Sequence, residues 1–482
     1  MINGNAVLRV ISVLLGIIGC LMWSGLPFSW AFASGDGWVL AISGLICVLT
    51  GGITFFTLRK QRASIRKREG YLIVALGWLA MILFGMLPYL ISGLIPSVPG
   101  AIFETVSGLT TTGASVLTDI EATPAGLLYW RSLTQWIGGM GIIVLTVAIF
   151  PLLGIGGIEL FVAEAPGPTS DKLHPRISET AKRLWFIYVG LTAVLVLILW
   201  AEGMTFYEAV NHALTTMATG GFSTRNNSMA AFGPTIQYTI ILFMFLAGTN
   251  YSILYLSLKR RWQEVWQSQE FKTYLGFVIV LTALFTLGVH ATGRYGWEQS
   301  FRDSLFQIVS LITTTGFVSA DYTSYSETLT IAFFMLLFLG ACAGSTSGGI
   351  KIIRHLVFFK NSLLEFKRLI HPNAIVPLRL NGQVVRGKVI THVYTFLLLY
   401  LFLFVFGTIV LSFLGLDFTT SLGAMATSLG NVGPGIGEVG PVDNFAWLSD
   451  SVKLFLSFIM LLGRLELFTI LVLFSPYFWR LN

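Results

Sequence analysis

The chain has 482 residues, of which 55% are hydrophobic and only 11% are charged, and its mean hydropathy is +0.77. This composition is too apolar for an ordinary soluble globular protein and predicts an all-α integral membrane protein. The net charge of +7 is unevenly placed along the chain, so the basic residues carry information on orientation.

Ten hydrophobic segments are long enough to cross a bilayer, since about 20 apolar residues span its hydrocarbon core. The first has only Arg9 as a basic residue and no small-residue cleavage site after it, so we expect a retained helix rather than a signal peptide. The segments lie at 7–27, 37–58, 71–92, 127–153, 184–202, 233–257, 272–292, 329–355, 388–415 and 451–475.

The sign of the charge alternates between successive loops along the chain. Lysine and arginine follow the second, fourth, sixth and eighth spans, whereas the other loops carry mainly acids. Because basic loops mark the cytoplasmic side, both termini are expected in the cytoplasm. Binding of nucleic acid or lipid headgroups is the alternative for a basic run. The alternation favours the interpretation that the basic loops set the orientation of the spans. We therefore expect membrane lipid around the protein and no nucleic-acid partner.

Four short stretches share one plan, in which a small apolar helix runs into a turn with glycine at its tip. A small residue is expected to open each helix, and the glycine follows twelve residues later, which selects Gly221 over Gly220. Helices of about 11–14 residues are too short to span, so re-entrant helices are expected. The turns are 110–114, 218–222, 313–317 and 430–434, the opening residues are Ala101, Ala209, Ser304 and Ser421, and the glycines are Gly113, Gly221, Gly316 and Gly433.

The repeated turns predict a pseudo-fourfold membrane domain behind an additional helical pair. The pair covers 1–69, and the four repeats cover 70–165, 166–265, 266–375 and 376–482. Thr205 and Glu208 match a capping box before the second short helix, and Asp417 is a candidate N-cap before the fourth.

Four such turns meeting on one axis could replace the water shell of a cation with carbonyl oxygens. Non-helical backbone at membrane depth persists only when it is buried in protein or lines a wet cavity. Glycine suits the turn because the backbone takes unusual dihedrals and no side chain fills the pore. A single turn of this kind would indicate only a bent helix, but four copies favour a cation pore. No catalytic residues are needed, so an enzyme is not expected.

Over essentially its whole length the chain resembles the TrkH/KtrB/HKT superfamily of potassium transporters, and the N-terminal pair resembles its TrkH branch. The resemblance implies four M1–pore helix–M2 repeats around a central pore, a homodimer, and cytosolic nucleotide-binding regulatory subunits of the TrkA type. It also implies location in the bacterial inner membrane. The stretches that carry it are 107–115, 130–141, 211–217 and 463–466.

The same resemblance places a potassium filter in the four turns. A serine at the first glycine accompanies sodium permeation in some plant relatives, so Gly113 favours potassium. The filter residues are expected to be Thr111, Thr112, Gly113, Thr219, Gly220, Gly221, Thr315, Gly316, Asn431, Val432 and Gly433. The backbone carbonyls expected to bind the potassium ion are those of Thr111, Thr112, Gly220, Thr315 and Val432.

Small and polar residues at 340–351 interrupt the eighth span. An unbroken helix disfavours glycine by about 1 kcal/mol relative to alanine, so a break is expected, and in the family a loop at this place acts as the gate. A tight helix–helix contact is the alternative, and a phosphate-binding loop is rejected because no lysine directly follows Gly349. The expected gate residues are Gly344, Ser345, Thr346, Ser347, Gly348, Gly349 and Arg464.

Arg464 lies inside the last span, where an arginine costs about 3 kcal/mol on insertion scales. Facing the pore, it would raise a barrier to cations, and the alternative is an interhelical salt bridge. Glu466 is two residues on and lies on another helix face, so it is a poor direct partner.

Two transport mechanisms remain open. The first is a gated potassium pathway driven by the membrane potential, and the second is a secondary transporter that couples potassium uptake to protons or sodium. The first is favoured because no acidic residue lies mid-span in a plausible relay and because the repeats share one orientation.

Overall fold

A computed structural model describes residues 3–58, 67–141 and 177–480. The described chain is helical apart from its loops and one hairpin, in which Arg379–Leu380 pairs antiparallel with Gln383–Val384. The all-α class expected from the sequence therefore agrees with the structure.

The N-terminal helices pack through close backbone contacts. Gly4–Trp23 is followed by the short helix Leu26–Ala31 and then by Gly37–Leu58. A Cβ added at Gly19 would lie 2.6 Å from the carbonyl oxygen of Gly44, and one added at Gly44 would lie 2.8 Å from that of Gly19. Small residues therefore let these two helices approach closely, as in many membrane helix pairs.

Among the described residues, six helices are long and apolar enough to cross a membrane, and two bent pairs raise the number to eight if each pair is one span. The sequence predicts ten spans. One of them, 127–153, is described only to residue 141, where helix Ala125–Trp136 continues as the π-helix Ile137–Gly141, and its remainder lies outside the described residues. The six helices are Gly4–Ala31, Gly37–Leu58, Arg68–Ile91, Lys182–Ala201, Gln269–Ala291 and Gly387–Phe413.

Three predicted spans are not single straight helices. Pro234–Gly248 and Tyr251–Leu258 meet at 107°, and Asp450–Arg464 and Phe468–Phe474 meet at 106°. In the eighth predicted span, Glu327–Leu336 ends before residue 337 and the next helix, Ile352–Ile370, begins after residue 351. The predicted break at 340–351 is confirmed, and we call residues 337–351 the interrupting loop.

Four helices end at the glycine turns, and we call them the first to fourth turn helices. They are Val98–Leu109, Phe206–Met217, Trp297–Ile312 and Phe418–Gly430, with 12, 12, 16 and 13 residues. The third is longer than expected, because its helix begins directly after Gly296.

The expectation that small residues open these helices was wrong. Ala101, Ala209, Ser304 and Ser421 all lie inside the helices and are 0% exposed. They are small because neighbouring segments pack against them. The caps lie earlier: Ser97 accepts a hydrogen bond from the Gly100 amide at 3.1 Å.

The two predicted caps are confirmed. Thr205 and Glu208 form both hydrogen bonds of a capping box, and Asp417 accepts a hydrogen bond from the Thr420 amide at 3.1 Å. Each cap satisfies an amide that the helix itself leaves unpaired. The remaining described elements are Lys67–Gly85, Leu87–Ile91, Ile177–Ala201, Ser228–Ala231, Trp262–Gln267, Tyr322–Ser324, Gly437–Val439 and Pro476–Trp479.

Candidate ion pathway

The four glycine turns share one backbone conformation. In each turn a non-glycine residue has a φ of 53–55°, and a glycine with positive φ follows two residues later. This pattern places Gly221, rather than Gly220, at the position equivalent to Gly113. The left-handed residues are Thr111, Thr219, Thr314 and Asn431, and the glycines are Gly113, Gly221, Gly316 and Gly433.

Each turn also closes its helix with the same two hydrogen bonds. In the third turn the Thr314 amide donates to the Leu311 carbonyl at 3.0 Å, and the Thr315 amide donates to the Ser310 carbonyl at 2.8 Å. This is the Schellman arrangement, whose left-handed position usually holds glycine. A β-branched threonine there is strained, and strain of this kind clusters at functional sites.

The four turns meet in a closed ring. A Cβ built on each glycine would lie closer than 3.0 Å to a carbonyl oxygen of the next turn, which real side chains do not tolerate. Glycine is therefore required by close approach as well as by φ. The pairs are Gly113 with Gly220, Gly221 with Thr315, Gly316 with Val432 and Gly433 with Thr112, so the fourth turn closes on the first.

Four of the five carbonyls expected to bind potassium occupy equivalent places in this ring. They belong to Thr112, Gly220, Thr315 and Val432. The fifth, Thr111, lies one residue earlier, at the left-handed position of the first turn. We call residues 111–113, 219–221, 314–316 and 431–433 the ring.

One cavity opens directly onto the ring, and we call it the funnel. Its lining includes one glycine from every turn: Gly113, Gly221, Gly316 and Gly433. Its walls come from the segments that follow the turns, among them Ser115, Phe222 and Asn444. The ring thus has a funnel face that solvent can reach.

A buried ion pair supports the first two turns. Arg131 Nε lies 2.7 Å from Glu104 Oε1, and the two side chains are 1% and 0% exposed. The second carboxylate oxygen of Glu104 accepts a hydrogen bond from the Val116 amide at 2.8 Å, and Arg131 donates to the Ser223 carbonyl at 3.2 Å. The pair therefore ties together the chain segments that leave the first and second turns.

The side chains of Gln135 and His212 form hydrogen bonds that fix the second turn and the residues that follow it. The Gln135 amide donates to the Gly220 carbonyl at 2.5 Å and accepts from the Phe222 amide at 3.1 Å. His212 contacts the Glu208 carbonyl and the Ser223 hydroxyl, each at 2.9 Å. The Gly220 carbonyl, which is expected to bind an ion, thus also accepts a hydrogen bond from the Gln135 side chain, and this bond orients the Gly220 peptide unit.

The interrupting loop satisfies its backbone through contacts with other breaks in helices. The Cys342 amide donates to the Gly248 carbonyl at 3.1 Å, and the Tyr251 amide donates to the Gly344 carbonyl at 3.1 Å, so the loop pairs with the bend between helices Pro234–Gly248 and Tyr251–Leu258. Glu270 accepts from the Ala343 amide at 2.6 Å. Irregular backbone of this kind is tolerated in a membrane because protein surrounds it.

Arg464 connects the loop to two other helix breaks. It ends helix Asp450–Arg464 and donates to the Thr346 carbonyl at 2.8 Å. The other end of its guanidinium donates to the carbonyls of Gly138 and Gly139, at 2.6 and 2.8 Å, in the π-helix Ile137–Gly141. Its side chain therefore links the end of helix Asp450–Arg464 to the interrupting loop and to the π-helix Ile137–Gly141.

Glu466 forms an ion pair with Arg354. Arg354 lies in the first turn of helix Ile352–Ile370, directly after the interrupting loop, and its guanidinium stacks on the Phe396 ring at 3.9 Å. The end of helix Asp450–Arg464 therefore makes two contacts. Arg464 binds the interrupting loop, and Glu466 binds the helix that follows the loop.

A family model described as TrkH, cation transport protein, matches residues 37–480. The chain belongs to the TrkH family. The Trk system potassium uptake protein TrkH of Salmonella typhimurium is 38% identical over 99% of both chains. The Trk system potassium uptake protein TrkG of Escherichia coli is 36% identical over 92% of both.

A solved structure agrees with this assignment. The crystal structure of the potassium transporter TrkH from Vibrio parahaemolyticus aligns with a TM-score of 0.88 at 34% identity, and it covers 99% of this chain and 100% of the other. The chain is therefore a multi-pass membrane protein with a TrkH fold.

Sequence reasoning about this TrkH family member missed several residues of the pathway. Thr314 is equivalent to Thr111, Thr219 and Asn431 but was left out of the expected filter. The expected filter included only Thr315 and Gly316 from the third turn. Yet the three threonines at 313–315 align with those at 110–112 when Gly316 is aligned with Gly113. Glu104 and Gln135 were assigned no role, because their roles arise from contacts with Arg131 and Gly220, which lie 27 and 85 positions away along the chain.

Proposed function

We propose that this chain is the ion-conducting subunit of a Trk-type potassium uptake system. The observation that carries the proposal is the closed ring, in which four carbonyl oxygens from four separate turns lie next to four glycines at the floor of one funnel. Carbonyl oxygens arranged in this way can replace the hydration shell of a monovalent cation. Uptake would be driven by the membrane potential, which is worth about 2.3 kcal/mol per charge per 100 mV.

Potassium is the proposed ion for two reasons. The relatives in Salmonella typhimurium and Escherichia coli are named potassium uptake proteins. The first turn also carries Gly113, the residue that the superfamily resemblance associates with potassium rather than sodium. The proposed filter comprises the ring residues, which include Thr314.

The proposed architecture has ten membrane helices, with four pseudo-fourfold repeats following the N-terminal pair. Equivalent turns, equivalent cap bonds and the cyclic order of the glycine contacts support the fourfold relation. In each repeat the helix after the turn also departs from α-helical geometry, at 137–141, 249–250, 337–351 and 465–467. The repeat boundaries 70–165, 166–265, 266–375 and 376–482 are proposed on this basis.

The proposed gate is the interrupting loop together with Arg464. Thr346 and Gly348 contact the ring residues Thr219 and Thr314, and Arg464 fastens the loop to the π-helix Ile137–Gly141. Release of these hydrogen bonds would let the loop move away from the pathway. Regulation by a cytosolic nucleotide-binding ring of the TrkA type, and assembly as a homodimer, are proposed from the family resemblance.

The proposed location is the bacterial inner membrane with both termini in the cytoplasm. The support is the distribution of basic residues, such as Lys259, Arg260 and Arg261 after the sixth predicted span. Asp443 lines the funnel, and Asp119 and Asp321 follow the first and third turns, which supports an outer position for the funnel.

Replacing Gly113 with serine tests the proposed filter. Gly113 has a φ of +86° and its Cβ would collide with the Gly220 carbonyl, so Gly113→Ser displaces a carbonyl of the ring. We expect the potassium-to-sodium flux ratio in liposomes to fall by about tenfold, equivalent to about 1.4 kcal/mol of differential binding. Growth rescue of a potassium-uptake-deficient bacterium should fall in parallel.

Gly93→Ser is the matched control. Gly93 has a similar φ of +72°, but a Cβ there meets nothing within 4 Å. It therefore carries the backbone strain without the collision. An unchanged flux ratio in Gly113→Ser, or the same fall in Gly93→Ser, would contradict the assigned filter. Repeating the flux under an imposed pH or sodium gradient separates a gated pathway from coupled transport.

A further inference from the structure

The interrupting loop touches three of the four turns of the ring. The Thr346 hydroxyl contacts the Met217 carbonyl at 3.1 Å and the Thr219 hydroxyl at 3.3 Å. The Gly348 amide donates to the Thr314 hydroxyl at 2.6 Å. A Cβ on Gly348 would also lie 2.9 Å from that of Asn431. Loop residues 346–348 therefore lie against the second, third and fourth turns.

The contact between Gly348 and Thr314 has the better-defined geometry. Its donor is a backbone amide, whose direction the chain fixes, whereas the Thr219 hydroxyl has a second acceptor in the Ala218 carbonyl at 2.6 Å. Both Gly348 and Thr314 are buried. Loss of the hydroxyl would leave a buried amide unpaired, which is the costly way to break a hydrogen bond.

The position of Thr314 adds a second argument. It has a φ of 54°, where glycine or asparagine would be less strained than a β-branched residue. Neither of those residues could offer the same hydroxyl at the same distance from the backbone. Thr111 occupies the equivalent place in the first turn, but its hydroxyl has no hydrogen-bond partner among the residues that the structure describes.

We propose that Thr314 is a positioning residue that holds the interrupting loop against the ring, with Thr219 as its weaker counterpart through Thr346. The third turn and the loop are then coupled, because the loop can move away from the ring only when the hydrogen bond between the Gly348 amide and the Thr314 hydroxyl breaks. This inference rests on the proposed role of the loop as a gate.

Hydrogen–deuterium exchange of the loop in the purified full chain tests the contact. Thr314→Val keeps the shape and the β-branch but removes the hydroxyl, so exchange of peptides covering 340–351 should rise by about threefold to tenfold. Thr314→Ser keeps the hydroxyl and should restore slow exchange. Thr111→Val removes the equivalent hydroxyl where no loop is bound and should leave loop exchange unchanged.

Two outcomes would overturn the proposal. One is wild-type loop exchange in Thr314→Val, and the other is an equal rise in Thr111→Val, which would indicate general loosening of the ring. Potassium flux of the same variants in liposomes is measured separately, with a larger leak expected in Thr314→Val than in Thr111→Val. If exchange rises in Thr314→Val while the wild-type chain carries no potassium, the contact is supported and the proposed function fails.

Discussion

The two faces of the ring are stabilised by different kinds of interaction. Beside the funnel, the buried pair of Glu104 and Arg131 and the side chain of Gln135 hold the first two turns from regular helices. On the opposite face, the contacts come from irregular backbone, where Thr346 and Gly348 of the interrupting loop meet the turns.

The difference lies in what breaking each contact exposes. Separating the ion pair would leave a charge buried without a partner, which costs several kcal/mol. Separating the Gly348 amide from a hydroxyl costs about 1 kcal/mol, once other partners replace the bond. Breaking the ion pair beside the funnel therefore costs more than breaking the hydrogen bond between Gly348 and Thr314 on the loop face. This difference fits the proposed fixed filter and movable gate.

The largest expected effect comes from breaking the ion pair. Glu104→Gln leaves the Arg131 guanidinium, 1% exposed, without its carboxylate. We expect a loss of about 3–5 kcal/mol in the free energy of unfolding, since removing one partner of a buried pair strands the other charge. Thermal unfolding of the detergent-solubilised protein measures the loss.

The exposed pair of Glu298 and Arg302 provides the control. These residues pair at 2.9 Å within one helix, but the Glu298 side chain is 61% exposed. Glu298→Gln should cost about 0.2–1 kcal/mol. Equal losses in the two variants would show that Glu104 has no special role. The double variant Glu104→Gln, Arg131→Met should be more stable than Glu104→Gln alone.

Arg464→Ala probes the loop face and should have the next largest effect. It removes hydrogen bonds to the carbonyls of Thr346, Gly138 and Gly139. A hydrogen bond to a charged group contributes about 1.5–3 kcal/mol, so the loop should open more often and potassium leak in liposomes should rise by about tenfold or more. A fall in flux would show instead that Arg464 is part of the scaffold.

Arg464→Lys separates two explanations of this leak. Lysine keeps the positive charge but lacks the planar fork that reaches two sets of carbonyls. If the arginine acts as an electrostatic barrier, Arg464→Lys should behave as the wild type. If it acts as a fastener, leak should resemble that of Arg464→Ala. The bridging geometry favours the second result.

Local patterns in the sequence predicted the parts of the pathway that depend on local physics. The glycine turns, the caps at Thr205 and Asp417 and the break at 340–351 are all set by residues a few positions apart. The contacts of Gln135 with Gly220 and of Gly348 with Thr314 join residues that are 85 and 34 positions apart. Side-chain hydrogen bonds between separate elements follow from how the repeats pack, and no spacing rule in one chain encodes that packing.

The bends at 249–250 and 465–467 were missed for a related reason. Both segments are continuously apolar enough to be predicted as single spans, yet they bend by 107° and 106°. In the second bend Glu466 and Leu467 adopt positive φ values of 53° and 57°. Residues of these types rarely adopt such values, so local propensity predicts a straight helix. The contacts of Arg464 with Thr346 and of Glu466 with Arg354 accompany the bend instead.

The smallest expected effect concerns the N-cap of the fourth turn helix. Asp417 accepts a hydrogen bond from the Thr420 amide at 3.1 Å, and hydrogen bonding with Thr420 lowers the pKa of the Asp417 carboxyl. Asp417→Ala should cost about 1 kcal/mol of stability at neutral pH. Because the folded-state pKa is depressed, the stabilisation is present above the ordinary aspartate pKa and is lost as the pH falls through the lowered value.

Asp417→Asn distinguishes a capping role from a purely electrostatic one. Asparagine caps a helix about as well as aspartate but does not titrate, so its thermal unfolding should match the wild type at neutral pH and lose the acid-dependent decrease that Asp417 contributes. If Asp417→Asn were as unstable as Asp417→Ala at neutral pH, the carboxylate charge rather than the hydrogen bond would hold the helix end. The cap would then act through the helix dipole, and the fourth turn would depend on charge as the first two turns do.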